Sequence, residues 1–100
     1  MAFLDPYRES IRELCRKHGV AELYAFGSVL REDFRSDSDV DFLVVFLLFN
    51  ATNAFHQYFD FKEELEDLLK RSADLVCYNA IRNPFFKSNV DRSRQLLYAA

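Results

Sequence analysis

No apolar run in this chain is long enough to cross a bilayer: the longest, Phe42 to Phe49, stops at eight residues, where a spanning helix needs roughly 20. The N-terminus carries no signal-peptide pattern either, because Asp5 and Pro6 interrupt it early. Both absences predict a cytoplasmic protein with no membrane partner. Cysteine is sparse. Cys15 and Cys77 stand alone without C-x-x-C spacing, which points to reduced, packed thiols and away from a bridge or a metal site. Basic excess is missing too. A net charge of −3 and a pI near 5.3 argue against a protein built to grip a long nucleic-acid backbone. The cations are scattered, with Arg8, Arg12, Arg16 and Lys17 along a first helix and Lys70 and Arg71 ending a second, where those near helix ends suit the dipole. No internal repeat, linker or low-complexity stretch interrupts the chain.

What is present is core material. Half of the 100 residues are hydrophobic, eleven Phe and five Tyr among them, which is enough for one small domain over residues 1–100. Asp5-Pro6 reads as a helix start, Asp as N-cap and Pro at the first helical position, with Tyr7, Ile11, Leu14 and Cys15 on one apolar face until Gly19 stops it. Strands follow at Glu22 to Phe26 and at the apolar run through Val45 and Phe46. Asn50 to Asn53 is a turn, and a longer helix runs from about Ala54 to Arg71, with Phe55, Tyr58, Phe59, Leu65, Leu68 and Leu69 at helical spacing and expected in the core. Ala73 to Tyr78 is a third strand, on which Asp74 and Val76 face one way and Leu75 and Cys77 the other. Asn83-Pro84 opens a short helix, and Gln95 to Ala99 reads either as its continuation or as a fourth, edge strand.

Chemistry concentrates in Gly27-Ser28 and in Ser38-Asp39-Val40-Asp41-Phe42-Leu43-Val44. Along an extended strand alternate side chains share a face, so Asp39 and Asp41 would project together with Cα atoms roughly 7 Å apart. Val40, Phe42 and Val44 would then share the opposite, buried face. Two neighbouring carboxylates repel, and burial is costly for each, so they belong at an exposed strand mouth or beside a cation. Mg²⁺ suits a few carboxylates plus substrate phosphates. Asp37, Asp39 and Asp41 also mimic the opening of an EF-hand loop, but Phe42 stands where that loop needs Gly and Leu48 where it needs Glu. Gly27, after the first strand, lets backbone approach a phosphate, and Ser28 to Arg31 could open a helix whose N–H groups face the anion. Gly-Ser alone is only a turn signal, and an isolated D-x-D is by default a solvated strand entrance. The interval of 12 positions from Gly27 to Asp39 gives both their weight. Arg31 and Arg35 read equally well as loop charges, and His18 and His56 as a helix-end and a surface residue without metal-ligand spacing.

Gly-Ser, ten intervening residues and Asp-x-Asp resemble the signature of the DNA polymerase β-type nucleotidyltransferase superfamily, and the chain's size resembles its minimal nucleotidyltransferase branch. Tyr24-Ala25-Phe26-Gly27-Ser28-Val29-Leu30-Arg31 and Ser36-Asp37-Ser38-Asp39-Val40-Asp41 resemble the family's strand, turn and strand. Ala73-Asp74-Leu75-Val76 is similar to the strand bearing its third carboxylate, and Arg82-Asn83-Pro84 and Leu96-Leu97-Tyr98 to its tail. The resemblance implies an α/β (α+β) fold, a mixed sheet of about four strands with helices packed on one face, and it favours the edge strand for Gln95 to Ala99. It further implies that Asp39 and Asp41 bind two Mg²⁺ ions and that Asp74 completes the site and helps deprotonate the attacking hydroxyl. Gly27 and Ser28 would hold the triphosphate, with Arg31 as a further phosphate contact.

The expected reaction is transfer of a nucleoside monophosphate, AMP from ATP, to a hydroxyl. The implied setting is a toxin–antitoxin pair in which this chain, as antitoxin, modifies a tyrosine of a HEPN-family toxin. So short a domain has little of its own with which to select a substrate, so a partner chain or a homo- or hetero-oligomer is expected, with the distal half of Phe46-Leu47-Leu48-Phe49 as a possible contact. Two alternatives stay open: a binding module that neutralises its partner by occlusion, and transfer to a small molecule such as an aminoglycoside.

Overall fold

The computed structural model describes residues 4–27, 39–47, 54–77 and 94–100. Helix α1 (Arg8–Lys17) leads into strand β1 (Val20–Phe26), then strand β2 (Val40–Phe46), helix α2 (Ala54–Leu69), strand β3 (Ala73–Cys77) and strand β4 (Gln95–Ala99). The sheet order is β3-β2-β1-β4. β1 is antiparallel to both β2 and β4, and β2 is parallel to β3. The sheet is therefore mixed, as expected. Its parallel pair is bridged by α2, the crossover element that parallel strands require.

Alternation decides what each strand residue does. Leu23, Ala25, Val40, Phe42, Val44, Ala73 and Leu75 point to the helix-covered face and join Ile11, Cys15, Phe61, Leu65 and Leu69 in one core, every one of them 5 % exposed or less. The opposite face carries a smaller cluster, Phe26 and Leu43 with Tyr24 and Val76 against them. β4 lies at the edge beside β1, which resolves the choice left open for Gln95 to Ala99 in favour of the strand. A register shift opposite Leu23 and Tyr24 lets both Leu97 and Tyr98 reach the core while Leu96 stays 51 % exposed.

Several boundaries differ from expectation. Asp5–Tyr7 forms a 3-10 turn and α1 begins only at Arg8, with no side-chain cap on either; Pro6 fixes the entry angle, but Asp5 instead faces Arg8 at 3.5 Å. Gly19, at φ 67°, ends the helix as anticipated, because that left-handed conformation carries no Cβ penalty in glycine. α2 stops at Leu69, and Lys70 takes the left-handed position after it at φ 57°. Phe55 and Phe59, expected inside, are 66 % and 45 % exposed and stack on each other, ring centroids 4.5 Å apart. The buried line of α2 is Phe61, Leu65 and Leu69, at steps of four. Phe55 and Phe59 lie about half a turn away from it. The Asn50 to Asn53 turn and the Asn83-Pro84 helix lie outside the described residues, as does most of the expected contact at Leu48 and Phe49; Leu47 is exposed.

Both cysteines are free thiols. Burial pushes Cys15 up to about 12 and also raises Cys77, so neither is an activated nucleophile. Among the described residues no helix is long and apolar enough to cross a membrane.

Candidate active site

The site lies where β1 ends and β2 and β3 begin. β1 runs antiparallel to β2, so its last residue, Phe26, pairs with Asp41 near the start of β2. β3 runs parallel to β2 in a register that pairs Asp41 with Asp74. Backbones of neighbouring strands are about 4.8 Å apart, and both residues alternate to the open face. Two carboxylates thus stand side by side at one sheet corner. Asp41 is half-buried there and Asp74 is exposed. Asp39 precedes β2 by one residue and is exposed. The parallel ladder is anchored at this end by the Val40 amide, which donates to Ser72 O at 3.1 Å.

Gly27 closes the corner. Its φ of 73° is a conformation that side-chain-bearing residues avoid, and a Cβ built on it would lie 2.3 Å from Asp41 Oδ2. The absent methyl is therefore the space that the Asp41 carboxylate occupies. Gly27 has two reasons to be glycine, one conformational and one steric. Among the described residues no group of three or more His, Cys, Asp or Glu side chains is drawn together into a metal cage. The register brings Asp41 and Asp74 together, with Asp39 two positions upstream of Asp41. Ser28, Arg31 and Arg35 lie outside the described residues.

Two neighbours of the corner have no motif of their own. Tyr58 reaches from α2 over the outer edge of β3, where its hydroxyl donates to Leu75 O at 2.5 Å. Burial raises its phenol, and the negative charges of Cys77, Asp74 and Glu66 add to that. On the other side, Arg94 places Cζ 4.4 Å from the centroid of the Tyr24 ring. An arginine one residue before an edge strand carries no sequence signal that would have singled it out.

The pattern of the family described as "Polymerase beta, Nucleotidyltransferase" matches residues 9–100. This chain belongs to that family. It is thereby a nucleotidyltransferase by descent. Among relatives, it is 34% identical over 77 residues to the protein adenylyltransferase MntA of Thermococcus cleftensis, a match covering 77% of this chain and 75% of that one. A solved structure whose name proposes a minimal nucleotidyltransferase superposes with a TM-score of 0.75 at 33% identity, over 92% of this chain and 90% of the other. The same fold occurs in a complex from Shewanella oneidensis between a tri-AMPylated HEPN toxin and an MNT antitoxin, at TM-score 0.64 and 20% identity, over 95% of this chain and 71% of that one.

Proposed function

We propose that this chain transfers AMP from ATP to a hydroxyl, a tyrosine of a HEPN-family protein, and acts as the antitoxin of that partner. The observation that carries the reading is the in-register pairing of Asp41 with Asp74 beside the cradle of Gly27. Two like charges on adjacent strands repel. A sheet corner built around them fits a bound divalent cation, and the missing Cβ at Gly27 leaves room for a carboxylate turned toward it. Asp39, Asp41 and Asp74 would hold Mg²⁺, as a pair of ions in the fuller form of the proposal. When bound, Mg²⁺ supplies charge neutralisation to the entering and leaving oxygens of an α-phosphoryl displacement.

The chain's own residues supply the rest. Asp74, the more open of the paired acids, takes the proton of the attacking hydroxyl, and Asp41, half-buried and wedged against Gly27, is held in place as a ligand for the cation. Gly27, Ser28 and Arg31 hold the triphosphate. A protein acceptor suits a sheet face whose rim is open. The name of the Thermococcus relative, a protein adenylyltransferase, and the AMPylated toxin in the Shewanella complex both support a protein hydroxyl as acceptor and AMP as the group transferred.

Incubation with the HEPN partner, Mg²⁺ and α-labelled ATP tests this directly. Label should pass to the partner with the wild-type chain and fail to pass with Asp39→Asn or Asp41→Asn. Equal labelling by the variants rejects the site. An unlabelled partner that is nonetheless silenced by both variants makes the chain an occluding binder instead.

A further inference from the structure

Helix α1 has two flanks, and only one of them meets another helix. Ile11 and Cys15 point into the core, and Lys17 and His18 reach across to Glu64 of α2. Arg8, Arg12 and Arg16 recur at steps of four and so share one side of the helix, about a quarter turn from Ile11 in the direction away from Lys17. There they line an open groove of about 380 Å³ together with Leu96 to Ala99 of β4. Among the described residues no acidic side chain lines it. In a chain of net charge −3, α1 carries four cations against two acids, and three of the four stand on this groove. Each arginine does meet one acid, Arg8 with Asp5 at 3.5 Å, Arg12 with Glu9 at 2.9 Å and Arg16 with Glu13 at 3.0 Å, but the acid is the more exposed member of every pair. Such exposed pairs are weak, and each engages a single nitrogen of a guanidinium that has five donor hydrogens. Arg8 Nε is shut off from solvent with no hydrogen-bond partner, a donor with much to gain from an acceptor.

β4 supplies the other wall. It is an edge strand, paired among the described residues with β1 alone, and an edge presents a row of backbone N–H and C=O groups. We propose that the groove binds an extended acidic segment of a partner protein, which adds to β4 as a fifth strand and lays its carboxylates along the arginines. Arg8 to Arg16 spans about 12 Å of helix and Leu96 to Ala99 about 10 Å of strand, so helix and strand line the groove over the same length. Alternate residues of a strand are about 6.8 Å apart, and steps of four on a helix about 6 Å. Acids at every second position therefore meet the three arginines in turn, while the backbone bonds to the edge. A second copy of this chain is the poorer occupant. Two β4 edges paired antiparallel in one sheet would set two such arginine rows against each other, and like charges oppose that. The groove lies at the sheet edge opposite β3 and shares no residue with the acidic corner, so the proposal stands apart from the reaction proposed above.

Nuclear magnetic resonance titration of the ¹⁵N-labelled chain tests it, with a capped nonapeptide of alternating glutamate and valine as the probe. The peptide should shift the amides of Gln95 to Ala99 and the Nε–H signals of Arg8, Arg12 and Arg16 to saturation, and should slow amide exchange along β4. Arg12→Gln and Arg16→Gln should each weaken binding by about 2- to 5-fold and together by about tenfold, with the spectra of the free variants showing that the fold is kept. Raising the salt from about 0.05 to 0.5 M should weaken it as well. A peptide of the same composition with its glutamates in one block should bind less tightly, because a strand turns half of them away from the helix. The proposal is overturned if no signal saturates, if the block peptide binds as well, or if the shifts stay on α1 and leave β4 untouched. It fails equally if a short oligouridylate binds the groove more tightly than the peptide, or if the free chain dimerises through β4. None of these readings depends on nucleotide transfer, so their failure and that of the acidic corner are separate results.

Discussion

The two faces of this sheet are made from the same strands, one residue out of phase, and they are built on opposite principles. Toward the helices, Val40, Phe42 and Val44 of β2 are 1 % exposed or less and belong to the apolar core. Toward the open side, the intervening positions begin with Asp41 and continue to Leu43, whose small cluster does no more than floor the site. One face is apolar along its length, while the other sets charge at its corner beside a smaller buried cluster in which Leu43 is 0 % exposed. Because a one-residue slip would exchange them, the helix-covered face also fixes the register on which the acidic corner depends.

The comparison breaks most visibly at Phe42. Phe42→Ala removes a ring that is fully buried under the helices, and should cost about 3–5 kcal/mol of stability. That is a large share of the total for a domain of this size. Denaturant melts should show an early midpoint, while nucleotide affinity of the molecules still folded stays near wild type. A loss of affinity without a loss of stability would mean that the two faces are not separable in the way their burial indicates.

Asp74, one residue before Leu75, the partner of Phe42 on the parallel ladder, should show the reverse. Asp74→Asn should lower transfer by about a hundredfold or more, some 3 kcal/mol on the barrier. In the absence of Mg²⁺ it should hold stability or raise it by a few tenths of a kcal/mol, since one of two like charges on adjacent strands is gone. A matched pair of melts and labelling assays checks both signs. Destabilisation here would mean that Asp74 is structural and that the corner was not assembled at a cost for function.

Gly27 belongs to both faces, and Gly27→Ala sharpens the contrast. The left-handed φ alone costs a non-glycine residue about 1–2 kcal/mol. The added methyl meets Asp41 Oδ2 at 2.3 Å, so the carboxylate must turn aside. Stability should fall by about that much, and transfer should fall further than the melt accounts for. A purely conformational role would leave activity per folded molecule intact.

Much of this arrangement was legible in the residues themselves. The alternation around Asp41 and around Asp74 named the core positions of β2 and β3 correctly, because a period of two admits only two answers and the apolar residues choose between them. Gly27 was legible as a backbone position, though not as the pocket for one particular carboxylate, since that depends on the register of β1 against β2. The helix was harder. α2 carries aromatics on two sides, and its periodicity does not say which side meets the sheet; Phe55 and Phe59 face outward while Phe61, absent from the expected stripe, is fully buried. Tyr58 was legible only as a core aromatic of α2, which it is in part, and Arg94 over Tyr24 was not legible at all. Their places follow from a helix crossing and strand order, properties of the assembled sheet and not of any local run.

The smallest effect lies at the far end of the helix layer, where charge meets the covered face and should matter least. Glu64 accepts from His18 Nε2 and from Lys17 Nζ, the latter at 2.6 Å, and these contacts, His18 first, hold its carboxyl below the ordinary value of 4.5. A folded-state value below the unfolded one contributes stability that is complete above about pH 4.5 and lost as pH falls through the lower, folded value. The group is about a third exposed, so solvent limits the contribution to about 1 kcal/mol or less. Urea melts of wild type and Glu64→Gln should therefore differ by that small amount at neutral pH and converge as the solution is acidified past pH 4.5. A gap that instead widened in acid would place the stabilising charge elsewhere. A gap of several kcal/mol would mean that the helix-covered side relies on charge as the open face does, and the division between the two faces would fail.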